Sequence, residues 1–233
     1  MELMPLAELT SPTFLSALLA IILIDLALAG DNAIVIALAA RQVPQHMQRK
    51  VLIWGSVAAV TIRGIASIFV VWLLKIPGFL LAGGILLLYI AFKLVRPAKS
   101  GEAATQASTE AGVRQAVMTI VLADMAMGIE NVLAVGGAAH GNVLLVIAGL
   151  LISVPIIMFG SQLVLQLVGK YPHIITLGGA ILAWTAIKMM LGEPALDHWF
   201  EIQDWMELPL YVIAVGGVVF VALRHSKSAS HNT

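Results

Sequence analysis

From Thr13 to Ala40 the chain runs for about 28 residues without a Lys or Arg, almost wholly in Leu, Ile, Ala and Val. A run of that length can hide inside a large protein, or it can cross a bilayer, where about 20 apolar residues span the hydrocarbon as a helix. Composition decides between the two. Only 11% of the 233 residues are charged, and the mean hydropathy is +0.98. A soluble domain carries roughly 25% charged residues. This chain cannot cover itself against water, so lipid is its solvent and its backbone must be satisfied within helices. Zero formal net charge gives no case for a nucleic-acid partner. The absence of cysteine excludes disulfides, thiolate metal sites and thiol catalysis.

Apolar runs predict seven membrane spans, near 13–40, 51–74, 78–95, 115–139, 143–168, 173–191 and 208–223. The N-terminal "MELMPLAELTSPTF" has two glutamates and no basic residue, unlike a secretory signal, so the first run is expected to stay as a helix. Basic residues between spans set the orientation. Arg41, Arg49, Lys50, Arg96, Lys99, Arg114, Lys170, Arg224 and Lys227 fall on one side, and Lys75 alone on the other. The expectation is a multi-pass protein of the cell membrane, N-terminus outside and C-terminus cytoplasmic. The stretch 96–114, rich in Ala, Ser, Thr and Gly, reads as a flexible cytoplasmic linker. The segment 192–209, with five acids and two tryptophans, reads as an outside loop anchored at the interface.

The chain repeats itself. "DLALAGDNAIVIALAA" (25–40) and "DMAMGIENVLAVGGAA" (124–139) share acid, five residues, acid, Asn and an apolar run. "PGFLLAGGILLLYIAFKLV" (77–95) aligns without a gap on "PHIITLGGAILAWTAIKMM" (172–190), matching Pro, Gly-Gly, an aromatic and Lys. The fold predicted is all-α: a first three-helix repeat over 1–95, the linker 96–114, a second repeat over 115–191, and 192–233 with an outside loop, a seventh helix and a tail. Three is odd, so the second copy enters the membrane from the opposite face. Inverted repeats of this kind place a transporter's substrate site at their interface near the midplane.

Ionisable groups at that depth are costly and mark functional sites. On an unbroken helix Asp25 and Asp31 stand roughly 9 Å and about 120° apart, so they do not share a face. The first span is longer than a bilayer requires, and Gly30 precedes Asp31. A break there would turn Asp31, Asn32 and freed carbonyls toward one point, with Gly128 as the matching hinge. Asp25, Asp31, Asn32, Asp124, Glu130 and Asn131 form a set of hard oxygen donors, suited to a divalent cation such as Mn²⁺, Ca²⁺ or Mg²⁺. Arg63, near the middle of the second span, is the expected counter-ion. Lys93 and Lys188 are expected to snorkel to opposite faces. Carboxylates packed together share protons that an arriving dication would release, with Asp25 and Asp124 as the exchanging pair in a proton-coupled alternating-access cycle.

At these acidic motifs the sequence resembles the TerC/Alx family of integral membrane proteins, within the wider lysine-exporter-like superfamily. The resemblance implies a seven-helix inverted-repeat fold and export of manganese from the bacterial cytoplasm, with the metal site carried over to Asp25, Asp31, Asn32, Asp124, Glu130 and Asn131. The family's second motif commonly has Ser and Asp where this chain has Gly128 and Glu130. No donor set here suits an oxyanion such as tellurite. Mn²⁺, or alternatively Ca²⁺, is then cargo rather than cofactor, and the partners are a divalent metal ion and the bilayer. An amino-acid or other small-cation exporter keeps the fold and changes the cargo. An intramembrane aspartyl protease using Asp25 and Asp124 leaves Asp31, Glu130 and both asparagines unused, and "AGD" lacks that class's GxGD signature. No enzyme is expected.

Overall fold

A computed structural model of the chain describes residues 11–28, 30–73, 76–97, 106–139, 142–194, 196 and 204–230. Lys75, Lys99, the first ten residues and most of the loop before residue 204 lie outside the described residues. Among the described residues the regular structure is helical, in eight helices: α1 Pro12–Leu28, α2 Gly30–Ala40, α3 Gln45–Leu73, α4 Phe79–Leu94, α5 Gln106–Ala138, α6 Val143–Lys170, α7 His173–Leu191 and α8 Asp204–Ser230. The protein is an integral membrane protein with several apolar helices.

Each helix shows which face meets lipid. On α1, Leu15, Leu19 and Leu23 are exposed, one turn apart, while Phe14, Ile21 and Asp25 are buried on the other side. On α6, Ile147, Leu151, Phe159 and Leu163 point outward, as do Val212, Ile213 and Phe220 on α8. Apolar surface of this extent is tolerated in lipid and not in water.

Seven runs predict seven spans, but length and apolarity alone qualify fewer. Leu144–Lys170, His173–Leu191 and Glu207–Arg224 meet both tests, and α1 with α2 makes a fourth if the bent pair counts as one. α4 is apolar but only 16 residues long. α3 and α5, at 29 and 33 residues, are long enough; both include side chains outside the described ones, and they carry Arg63, Asp124 and Glu130 in their interiors. The 96–114 stretch is also not all linker. α5 already begins at Gln106, and Thr109 and Val113 are buried.

α4 and α7 pack together, as do α3 with α5, both α1 and α2 with α6, and α7 with α8. The glycine pairs set the first of these contacts. A Cβ on Gly84 would come within 2.7 Å of the Ala186 carbonyl oxygen, and one on Gly179 would meet Val95. The start of one helix therefore lies on the end of the other, and α4 and α7 run antiparallel. Small residues at such crossings let backbones approach and gain van der Waals contact that lipid cannot supply. Gly78 enters α4 with φ 80°, a left-handed conformation that favours glycine. Two N–H groups at that helix start, of Gly78 and Leu80, donate to the Glu193 carboxylate at 3.0 and 2.9 Å. Glu193, expected in an outside loop, is buried and caps α4, because a helix N-terminus leaves N–H groups that need acceptors.

The buried side chains form two apolar clusters. The larger includes Val35, Leu38, Leu87, Ile120, Ala126, Met127 and Leu182, and the smaller Phe14, Ile21, Val135, Ala139 and Leu145. Along the chain, residues 25–32 and 128–131 fall between the two clusters. These residues thus mark the seam between them, while Asp124 is flanked by Ala123 and Ala126 of the larger cluster.

Candidate functional site

α1, α3 and α5 bring one side chain each to a common point. Arg63 of α3 lies between Asp25 of α1 and Asp124 of α5, and all three are buried. Its Nη1 donates to Asp25 Oδ1 at 3.3 Å. Its Nε donates to Asp124 Oδ2 at 3.3 Å, and its Nη2 donates to Asp124 Oδ1. The guanidinium therefore grips Asp124 with two arms and Asp25 with one. A planar fork of donors suits a bidentate carboxylate contact in a way that an ammonium does not.

Beside this triad, several buried polar atoms have no hydrogen-bond partner: Asp25 Oδ2, both carboxamide atoms of Asn32, and Ser56 Oγ. An unmade hydrogen bond in a buried place costs about 1–3 kcal/mol, so this cluster has a claim on a ligand. The atoms border a cavity of about 20 Å³, lined also by Arg63, Asp124 and Val60. That is room for about one water or ion. Ser56 and Arg63 stand seven residues apart on α3, nearly in line on one helix face.

The structure divides the six residues expected to act together. Asp25, Asn32 and Asp124 surround the small cavity, whereas Asp31 and Asn131 line a second one of about 260 Å³, with Met127, Thr185 and Lys188. Asp31 Oδ1 accepts the Asn32 N–H at 2.9 Å, and Oδ2 accepts from Thr185 Oγ1 at 3.5 Å. Successive residues on a helix point about 100° apart, so Asn32 turns toward Asp25 while Asp31 turns to α7. The side chain of Glu130 lies outside the described ones. Among the described residues, no three His, Cys, Asp or Glu side chains group closely enough to hold a metal ion. A cation at the seam would need the carboxamide and hydroxyl oxygens as well as the acids.

α1 and α2, the described stretches on either side of residue 29, stand at 51° to each other. The second motif lies on one helix: α5 continues through Gly128, and a glycine costs a helix interior only about 1 kcal/mol, too little to break one of 33 residues. A Cβ there would meet nothing within 4 Å.

Arg63 thus pairs with both acids to which it was assigned as counter-ion. The reading of the two lysines changes. Lys93 does not simply snorkel but donates to Thr119 Oγ1 of α5 at 3.1 Å, and Lys188 lines the larger cavity. Sequence reasoning missed Thr185, although the repeat carried a signal. In the register that pairs Tyr89 with Trp184, Thr185 replaces Ile90, a polar residue where the first copy is apolar.

Comparison with known proteins agrees with this picture in extent. The family described as integral membrane protein TerC family matches residues 10–230. The uncharacterized membrane protein YjbE of Bacillus subtilis (strain 168) is 36% identical over 214 residues, 92% of this chain and 97% of that protein. The uncharacterized membrane protein YkoY of the same organism is 27% identical over 192 residues, 75% of this chain and 59% of that protein. No solved structure matches.

Proposed function

The chain belongs to the TerC family of integral membrane proteins, and we propose that it is a transporter exporting divalent metal cations, Mn²⁺ first among them, across the cell membrane. One observation carries the reading. An aspartate from each half, Asp25 and Asp124, converges on one buried arginine beside a carboxamide that has no partner. Buried charge in lipid is expensive and is kept where it lines an ion path. The open oxygens at that point are hard donors, of the kind Mn²⁺, Mg²⁺ and Ca²⁺ take.

In this reading the seven spans form two inverted halves of three plus one further helix, N-terminus outside. The packing supports it. A twofold relation between halves exchanges α1–α2 with α5, α3 with α6, and α4 with α7. It requires α3 to pack on α5 as α1–α2 packs on α6, and α4 and α7 to pair with each other. All these pairs are in contact. Alternating access would come from one half rocking against the other about the seam. Asp31 and Asn131 would line the approach, with Asp25, Asn32 and Asp124 at the midpoint.

Purified protein in liposomes, tested for uptake across a panel of divalent ions, decides the matter. The expected result is saturable Mn²⁺ flux, abolished by Asp25→Asn and strongly reduced by Asp31→Asn and Glu130→Gln in protein that still folds. Absence of flux for every dication would overturn it, as would full flux in the Asp31→Asn/Glu130→Gln double variant.

A further inference from the structure

We propose that Arg63 is a tethered counter-cation that holds the cargo's place between Asp25 and Asp124 and must withdraw for a dication to take both carboxylates. The inference deepens the transport reading and rests on it. Its ground is geometry. The three donors of Arg63 occupy one oxygen of Asp25 and both of Asp124. A hard dication binds carboxylate oxygen at about 2.0–2.6 Å, and a guanidinium held on the same oxygens sets its positive charge against the ion's at close range. Arginine also does not lose its proton in proteins, so it cannot yield by becoming neutral. It has to move.

The oxygens still open show where exchange begins. Asp25 Oδ2, Asn32 Oδ1 and Ser56 Oγ have no partner and come from α1, α2 and α3. The arm on Asp25 is the single one. An entering dication meets those three oxygens first, displaces Nη1 from Asp25, and then competes for the forked contact on Asp124.

Formal charge then gives Arg63 a selective role. Asp25 and Asp124 with Arg63 leave one negative charge. A monovalent cation that displaces Arg63 merely restores that balance and leaves a guanidinium to be housed elsewhere. A dication brings the pair of carboxylates to neutrality. Arg63 therefore sets a threshold that a double charge passes and a single charge does not.

The test uses full-length protein in detergent, with Mn²⁺ binding read from the loss of its free electron-paramagnetic-resonance signal, with and without added Na⁺. Arg63→Gln is expected to tighten Mn²⁺ binding by about tenfold or more and to let Na⁺ compete, which it does not do in the wild type. Bound Mn²⁺ should also raise the thermal midpoint of the variant more than that of the wild type. Equal or weaker Mn²⁺ binding by a folded Arg63→Gln protein overturns the proposal. If that variant does not fold, Arg63→Lys decides, since it keeps the charge but not the fork. Tighter binding than wild type supports the tether, and equal or weaker binding overturns it. Wild-type binding that Asp25→Asn leaves unchanged would instead sink the transport reading itself.

Discussion

Asp124→Asn isolates the stronger arm of the buried triad. The substitution keeps the side chain's size but removes the charge held by two of Arg63's three donors, leaving the guanidinium with Asp25 Oδ1 at 3.3 Å. Removing one partner of a buried ion pair costs about 3–5 kcal/mol, because the other charge stays buried and uncompensated. In a chain of this size each kcal/mol moves the thermal midpoint by about 2–4 °C, so the midpoint should fall by roughly 6–20 °C. Asp25→Asn breaks one contact and leaves the forked pair whole. Its cost should be that of one hydrogen bond to a charged group, about 1.5–3 kcal/mol. Unfolding of the detergent-solubilised protein, followed by tryptophan fluorescence, measures both. A double-mutant cycle with Arg63→Gln should show a coupling to Asp124 above about 1 kcal/mol and larger than the coupling to Asp25. If Asp25→Asn costs as much as Asp124→Asn, or if the Asp124 cycle is additive within about 0.5 kcal/mol, the asymmetry read from the geometry is wrong.

The glycines offer a paired prediction, because a Cβ on Gly84 meets the Ala186 carbonyl at 2.7 Å while one on Gly128 meets nothing within 4 Å. Gly84→Ala should destabilise by about 1–3 kcal/mol through forced separation of α4 and α7, whereas Gly128→Ala should be neutral or stabilise by up to about 1 kcal/mol. A marked loss of stability in Gly128→Ala, measured by the same unfolding, would mean that α5 needs freedom at that point. Glu193→Ala should cost about 2–3 kcal/mol by uncapping α4, and hydrogen exchange should show lost protection at the amides of Gly78 and Leu80. Unchanged protection there would remove Glu193 from its capping role.

The membrane environment, the helical class and the repeated acids on which the candidate site draws were legible in the chain. Each depends on properties a linear pattern carries: a hydrophobic run long enough for a bilayer, a charge placed where lipid penalises it, and a motif written twice. Arg63 stood out for the same reason, as a cation with no local partner in an apolar stretch. That Asp31 stands apart from the pair Asp25 and Asp124 was not legible. Asp25 and Asp31 are near neighbours in sequence, yet Asp25 joins Asp124 across the fold while Asp31 faces Thr185. Helical rotation assigns each residue a direction, but the 51° bend between α1 and α2 re-aims everything after it. Nor could the repeat show that the second copy runs as one helix through Gly128. Gly30 and Gly128 look alike in sequence, and the cost of a glycine is too small to decide the backbone on its own. The neighbours decide it, and the tertiary structure alone shows which neighbours there are. The same holds for Glu193, an acid in a polar loop by sequence, which becomes a buried cap because antiparallel packing brings the end of α7 to the unfilled N–H groups of α4.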